Sequence, residues 1–230
     1  MKNDFKLVFT TGAPGSMWSA ISYRFKKSLK GFDFTDETES RRYALPKEHK
    51  LKLGSNLEHS QKTYTHVGSY FGPFHEFGNC FDDLNVYQNV EDFYEECLKP
   101  FNNDEAKFKM IKSHWFSYNL DWIWKNCKGH KILLVWREPK AAEKWWYSMG
   151  GWSINYPVYT WYDNPNRMRE KIKEENDLIT KFAQQHNIKW WNFETHDKWL
   201  NSRLPEANII KAKTIPMLED VIKVAYFDIT

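Results

Sequence analysis

The sequence has few cysteines, no long apolar run and almost no net charge, and each absence excludes a class of protein. Its three cysteines are odd in number and lack CxxC spacing, which favours a reduced, cytoplasmic compartment. No apolar run approaches the roughly 20 residues that a membrane-spanning helix needs. The first predicted strand begins about five residues from Met1, which leaves no room for a signal peptide. The net charge of +3 is too small for bulk nucleic-acid binding, so any cationic site must be local.

Short apolar segments alternate with helical patterns along most of the 230 residues, a length that suits one domain with a sizeable core. The predicted strands are Phe5–Thr10, Phe108–Lys112, Lys131–Trp136, Ile188–Phe193 and a short one at Asn208–Ile210. Helices are predicted from Trp18 to about Lys30, over Val90–Leu98, from about Ser117 to Asn126, and onward from Pro139. A further helix is predicted after the cap Asp163-Asn-Pro165, with one face formed by Met168, Ile172, Ile179 and Phe182. This alternation predicts an α/β domain with a mostly parallel central sheet flanked by helices.

The segment Thr11-Gly-Ala-Pro-Gly-Ser16 is a loop between an apolar strand and a helical pattern. Backbone N–H groups and the positive end of a helix at such a place suit an anion, phosphate or sulfate above all. A tight turn that binds no ligand fits the same residues. The loop does not match GxxxxGK[ST], since the second glycine and the lysine are missing.

Two further strand ends carry residues that suit chemistry on an anion, because open α/β sheets bind ligands beyond the carboxyl ends of their strands. Lys112-Ser-His114 follows the second strand, and histidine is the side chain best suited to accept a proton near neutral pH. Arg137 ends the third strand, where its guanidinium can fork onto a phosphate. The alternatives are an ordinary surface histidine at His114 and a salt bridge, for example to Glu138, at Arg137.

Together these segments resemble the 3′-phosphoadenosine-5′-phosphosulfate (PAPS)-dependent sulfotransferase family. Thr11-Gly-Ala-Pro-Gly-Ser16 is similar to that family's TGxPRSGTTW loop, Lys112-Ser-His114 to its K-[ST]-H segment, Leu134-Val-Trp-Arg-Glu-Pro-Lys140 to its VxRNPKD segment, and Trp191-Asn-Phe-Glu194 to its YEDL strand end. Their order and spacing agree from residue 7 to about 197. The resemblance implies a P-loop-like three-layer sandwich and one sulfotransferase-like domain over residues 1–230. An irregular lobe at about 31–80 would lie on the acceptor side.

The resemblance also implies a role for each matched residue. The 5′-phosphosulfate would bind the loop residues Gly12, Ala13, Pro14, Gly15, Ser16, Met17, Trp18 and Ser19. Within that loop, the hydroxyls of Ser16 and Ser19 would contact the donor directly. His114 would be the general base, and Lys112 would neutralise charge near the bridging oxygen. The rest of the donor would be held by Arg137 at the 3′-phosphate, Trp145 or Ser148 beside it and Phe193 at the adenine. The acceptor would be a hydroxyl or amine of a small molecule or saccharide, and no metal is expected.

The chain departs from the resembled pattern at several of these positions. The loop's Lys or Arg falls on Gly15, its next glycine on Met17, and the serine that follows the phosphate-binding arginine on Trp145, with Ser148 one turn further on. Two other functions fit the same residues. A small P-loop-like kinase is disfavoured because the glycine–lysine pair is absent, whereas Gly15 favours a non-catalytic module that binds a nucleotide or glycan.

Overall fold

A six-stranded sheet forms the centre of the part of the chain that the computed structural model describes. That part comprises residues 5–18, 21, 69–70, 81, 83–98, 101, 107–148, 164–192 and 222–230, with the backbone alone at 69–70 and 145–148. The strands are β1 (Lys6–Gly12), β2 (Ser69–Tyr70), β3 (Phe108–Lys112), β4 (Lys131–Arg137), β5 (Trp191–Asn192) and β6 (Ile222–Asp228). The α-helices are α1 (Val90–Leu98), α2 (Leu120–Asn126), α3 (Pro139–Ser148) and α4 (Pro165–Gln185), and 3-10 helices cover Leu84–Val86 and His114–Tyr118.

The strand order is β2-β3-β1-β4-β6-β5. Strands β2, β3, β1 and β4 are parallel neighbours, whereas β6 is antiparallel to both β4 and β5. The sheet is therefore mixed: the expected parallel pairing holds from β2 to β4, whereas the pairing beyond β4 is antiparallel. Because β1, β3 and β4 run in the same direction, their carboxyl ends lie at one edge of the sheet.

Alternate residues of the central strands pack into two apolar clusters, one on each face. The strand residues of the first cluster, which packs against α1, α2 and α4, are Leu7, Phe9, Ile111, Ile132, Leu134 and Ala225. Those of the second cluster, which includes Trp18 and Ile21, are Val8, Met110, Leu133, Val135, Ile222 and Val224. Because both faces of these strands are buried, they appear in the sequence as continuous apolar runs.

Helix α4 begins and packs as its sequence predicts. The side chain of Asn164 accepts hydrogen bonds from the backbone N–H groups of Asn166 and Arg167, and Pro165 occupies the first helical position. The four residues of the predicted apolar face are all buried: Met168, Ile172, Ile179 and Phe182. The prediction of an amphipathic helix packed on the sheet is confirmed.

The segment after β3 differs from the prediction of one helix from about Ser117 to Asn126. The chain first forms a 3-10 helix over His114–Tyr118, and α2 follows at Leu120. The cause is local, since the hydroxyl of Ser113 accepts a hydrogen bond from the N–H of Trp115 and caps the 3-10 turn directly after the strand. His114 is therefore held in a capped turn at the sheet edge.

The last two strands also differ from the prediction. Strand β6 was not predicted, and within the described part of the expected strand Ile188–Phe193, which ends at Asn192, the residues that pair with β6 are Trp191 and Asn192. Strand β6 lies between β4 and β5 in the sheet. Most of the 31–80 lobe, the expected strand at Asn208–Ile210 and the expected helix beyond Ile21 lie outside the described residues. Within the described ranges, no helix combines the length and apolar character needed to cross a membrane.

Candidate functional site

The carboxyl ends of β1, β3 and β4 bring together the three sequence segments that were singled out. Thr10 pairs with Lys112 across β1 and β3, and Gly12 pairs with Val135 across β1 and β4. Beyond the last β3 pair, the N–H of Ser113 donates a hydrogen bond of 3.1 Å to the carbonyl of Thr10. The loop after β1 therefore lies between the segments that carry His114 and Arg137.

The loop Gly12–Trp18 makes two sharp changes of direction. Gly15 has φ +76° and Met17 has φ +66°, while the N–H of Ser16 donates to the carbonyl of Ala13 at 3.0 Å. Met17 stands where the resembled loop has glycine, the residue that adopts a positive φ without steric cost. The N–H of Ile21 then bonds to the carbonyl of Met17 at 3.0 Å, so helical hydrogen bonding begins directly after the loop.

Gly15 packs against the backbone of α3. A Cβ built on Gly15 would overlap the carbonyl oxygen of Ala142 and lie 2.8 Å from its carbonyl carbon, closer than real Cβ atoms approach. Together with the positive φ, this contact requires glycine at position 15. The Lys or Arg of the resembled loop therefore cannot be accommodated here in the present backbone arrangement.

Arg137 connects the end of β4 to the loop. Its side chain is completely buried, and Nη1 donates a hydrogen bond of 3.0 Å to the carbonyl oxygen of Gly15. The carbonyl of Arg137 in turn accepts a hydrogen bond of 2.7 Å from Nδ2 of Asn176 on α4. The neighbouring Glu138 accepts from the N–H of Ala141 and so caps α3. Arg137 thus connects the loop to the end of β4.

His114 lies between the loop and α4. His114 is 7 % exposed, so the alternative interpretation, an ordinary surface histidine, is wrong. The ring of Trp18 packs against the imidazole with centroids 4.8 Å apart, at an angle of 61°. On α4, Oε2 of the buried Glu175 lies 3.3 Å from Nδ1 of His114. One imidazole nitrogen is therefore engaged by a carboxyl group within the protein.

The sequence interpretation missed Glu175 and Asn176. Both are buried on the apolar face of α4, although they are polar, and Glu175 is three residues after Ile172 and four before Ile179. Burial raises the pKa of Glu175, whereas His114 and Lys171 act in the opposite direction. A carboxylate at an apolar helical position is the signal that could have identified this residue, because burying a charge is costly unless it has a partner.

The site also contains buried cationic and hydroxyl groups. Lys112 at the end of β3 is completely buried, as is Arg137. Among the buried residues that the structure describes, Glu175 is the one carboxylate. The hydroxyl of Ser16 is buried within the loop and makes no hydrogen bond to any described residue. Positive charge and an unused hydroxyl donor in one place suit a bound anion.

Several predicted site residues cannot be placed. Ser19 and Phe193 lie outside the described residues, as does most of the predicted acceptor-side lobe. Trp145 and Ser148 belong to α3, but their side chains are not among those described. The described site therefore consists of the loop from Gly12 to Trp18, of Arg137 and His114, which contact the loop, and of Glu175 and Asn176 on α4, which contact these two residues.

The geometry allows binding of an anion and transfer of a proton at neighbouring positions. Within the described residues, no group of three His, Cys, Asp or Glu side chains is arranged to hold a metal ion. Comparison with protein-family models, with curated proteins and with solved structures found no match. The functional argument therefore rests on the residues of this site.

Proposed function

We propose that this protein is a sulfotransferase that moves the sulfuryl group of PAPS to a hydroxyl or amine of a small molecule or saccharide. The observation that carries the proposal is the meeting of the β1 loop with His114 and Arg137 at one sheet edge. The buried hydroxyl of Ser16 and the buried charge of Lys112 support the choice of an anionic ligand. The P-loop-like form of the fold and a cytoplasmic location belong to the same proposal.

In the proposed reaction the acceptor oxygen or nitrogen attacks sulfur from the side opposite the leaving phosphate. A bond forms from the acceptor to sulfur, the bond from sulfur to the bridging oxygen breaks, and adenosine 3′,5′-bisphosphate leaves with that electron pair. His114 takes the proton from the acceptor. Lys112 stabilises the negative charge that grows on the bridging oxygen, and the loop holds the 5′-phosphosulfate in line. These are tasks of positioning and electrostatic stabilisation, as in phosphoryl transfer.

Ligand-dependent thermal stability tests the donor site directly. A ligand present at 100 times its Kd stabilises the native state by about 2.7 kcal/mol. We expect adenosine 3′,5′-bisphosphate to raise the Tm and ATP with Mg²⁺ to raise it less. Stabilisation by ATP with Mg²⁺ alone would instead favour the kinase interpretation. Transfer of ³⁵S from labelled PAPS to a panel of sugars, phenols and amines then tests the reaction itself.

A non-catalytic binding module is the second candidate, and the packing of Gly15 favours it. The carbonyl of Ala142 leaves no room for the cation that the resembled loop places at this position. In that case adenosine 3′,5′-bisphosphate would stabilise the protein, while no acceptor in the panel would gain label. The two measurements together separate the sulfotransferase from the binding module.

A further inference from the structure

We propose that Glu175 positions the imidazole of His114, accepting a hydrogen bond from Nδ1–H so that Nε2 is the nitrogen that takes up a proton. Oε2 of Glu175 lies 3.3 Å from Nδ1 of His114, and both side chains are buried. The contribution of this pair to catalysis rests on the proposed function. The orientation and tautomer of His114 do not depend on the proposed function.

The position of Glu175 in α4 indicates a specific role for its carboxylate. It lies in line with Ile172 and Ile179 on the buried face, where an apolar side chain would pack without an electrostatic cost. Its second oxygen, Oε1, is buried and makes no hydrogen bond within the described part of the chain. A carboxylate that is buried at such a cost needs a partner, and His114 is the hydrogen-bond partner that the geometry provides.

Two contacts together fix the plane of the imidazole. Trp18 packs against the ring at 4.8 Å, and Glu175 engages Nδ1. A carboxylate at Nδ1 selects the neutral tautomer that carries its proton on that nitrogen. In that tautomer Nε2 carries a lone pair instead of a proton, as a general base requires.

The charged groups around the pair come from three elements. Lys171 and Glu174 lie on α4, where Lys171 lowers the pKa of Glu175 and Glu174 raises it. Tyr118, in the 3-10 helix, donates to Glu174 at 2.7 Å, and Lys171 donates to the Tyr118 hydroxyl. Lys112 on β3 adds a buried positive charge two residues before His114. Glu174 is therefore a neighbouring carboxylate that bonds elsewhere and serves as a matched control.

The tautomer of His114 is tested by ¹⁵N NMR of the imidazole in the unsubstituted protein near neutral pH. We expect protonated Nδ1 and unprotonated Nε2. In Glu175→Gln the amide can donate or accept, so the preference for one tautomer should be lost, whereas Glu174→Gln should keep it. A wild-type imidazole protonated at Nε2 would overturn the proposal, because Glu175 would then be a protonated donor. The NMR measurement on the unsubstituted protein tests the tautomer of His114 even if Glu175→Gln does not fold.

The activity of the same variants tests the functional consequence. Glu175→Gln should reduce kcat, because the imidazole of His114 is then no longer held in one orientation and one tautomer. We expect kcat to fall by about 10²–10⁴-fold, the range for a lost base or a lost orienting carboxylate. Glu174→Gln should leave kcat unchanged. Full kcat in Glu175→Gln would overturn the positioning role. Absence of transfer in the unsubstituted protein would refute the proposed function and leave the NMR result standing.

Discussion

Nη1 of Arg137 donates a hydrogen bond of 3.0 Å to the carbonyl oxygen of Gly15, and through it the end of β4 holds the loop that follows β1. The two residues are 122 positions apart in the sequence. The side chain of Arg137 is completely buried, so this hydrogen bond connects the loop to the core of the sheet. The conformation of the loop and the identity of residue 137 are therefore coupled.

Replacing Arg137 with Met should loosen the loop. The part-buried carbonyl of Gly15 loses its charged donor, and hydrogen bonds to charged groups contribute about 1.5–3 kcal/mol. Urea denaturation should show a loss of unfolding free energy in that range, and titration calorimetry should show weaker binding of adenosine 3′,5′-bisphosphate. Lys140→Met is the control, because Lys140 is exposed in the first turn of α3 and should change stability by less than about 0.5 kcal/mol. Equal stability of the two variants would contradict the coupling.

Gly15→Ala should be more destabilising than Gly129→Ala. Gly15 has φ +76° and Gly129 has φ +82°, so alanine at either position is destabilised by about 1–2 kcal/mol through its left-handed backbone conformation. Around Gly129 no atom lies within 4 Å of the added Cβ, whereas at Gly15 the Cβ would overlap the Ala142 carbonyl. The difference in unfolding free energy between the variants measures that overlap. Similar values for the two would show that α3 moves away at little cost.

Periodicity and turn residues were sufficient to predict the central strands and the main helices. Val90–Leu98 and Phe108–Lys112 have the predicted bounds, because each is an apolar pattern that ends at clear polar or turn residues. The position of Arg137 at the end of β4 and the loop after β1 were also predicted from local sequence. Strand β6 was harder to predict, because its place between β4 and β5 depends on pairing partners that are distant in the sequence.

The contacts of the site could be predicted only in part. A motif shows which residues lie at strand ends, and the parallel order of β3, β1 and β4 brings those ends together. Glu175 belongs to a helix that follows the last of these strands, and its contact with His114 depends on how α4 packs across the sheet. Such a contact arises from tertiary packing, which spacing in a single sequence does not encode.

Acidification should destabilise the protein through His130. Burial, together with the positive charge of Lys6, lowers the pKa of His130 to about 4 from its ordinary value of 6.5. Its Nδ1 accepts a hydrogen bond of 3.2 Å from the N–H of Leu7, which only the unprotonated nitrogen can do. The unfolded chain therefore binds a proton more readily than the native protein. The contribution of unprotonated His130 to the free energy of unfolding is fully present above about pH 6.5 and is lost as the pH falls toward about 4.

His130→Asn isolates that contribution. The asparagine oxygen can accept from Leu7 but does not titrate, so the variant should lose less Tm than the unsubstituted protein between pH 6.5 and 4. Thermal unfolding across this range provides the comparison. Parallel Tm curves for the two proteins would assign the acid sensitivity to other groups.

His114→Ala should reduce sulfuryl transfer by about 10²–10⁴-fold, the usual contribution of a general base. It also leaves Glu175 buried without its partner, so a loss of stability accompanies the loss of rate. His114→Asn separates the two effects, because its amide N–H can still donate to Glu175 while the side chain cannot accept a proton as imidazole does. We expect His114→Asn to fold and to bind adenosine 3′,5′-bisphosphate with unchanged affinity, but to transfer label as slowly as His114→Ala.

The matched control for this pair is His186→Ala. His186 lies at the carboxyl end of α4, away from the loop, and pairs with Asp121 at 3.6 Å. Its loss should leave the transfer rate unchanged, because His186 contacts Asp121, Trp124 and Phe182 and not the residues of the site. If His114→Asn kept full turnover, the proton would have to leave by another group, and the buried histidine would serve only to hold Trp18 against α4. If both His114 variants lost affinity for the bisphosphate in proportion to rate, the imidazole would act in donor binding instead. Initial rates at saturating donor and calorimetric affinities, measured on the same preparations, distinguish these cases because a base affects kcat alone.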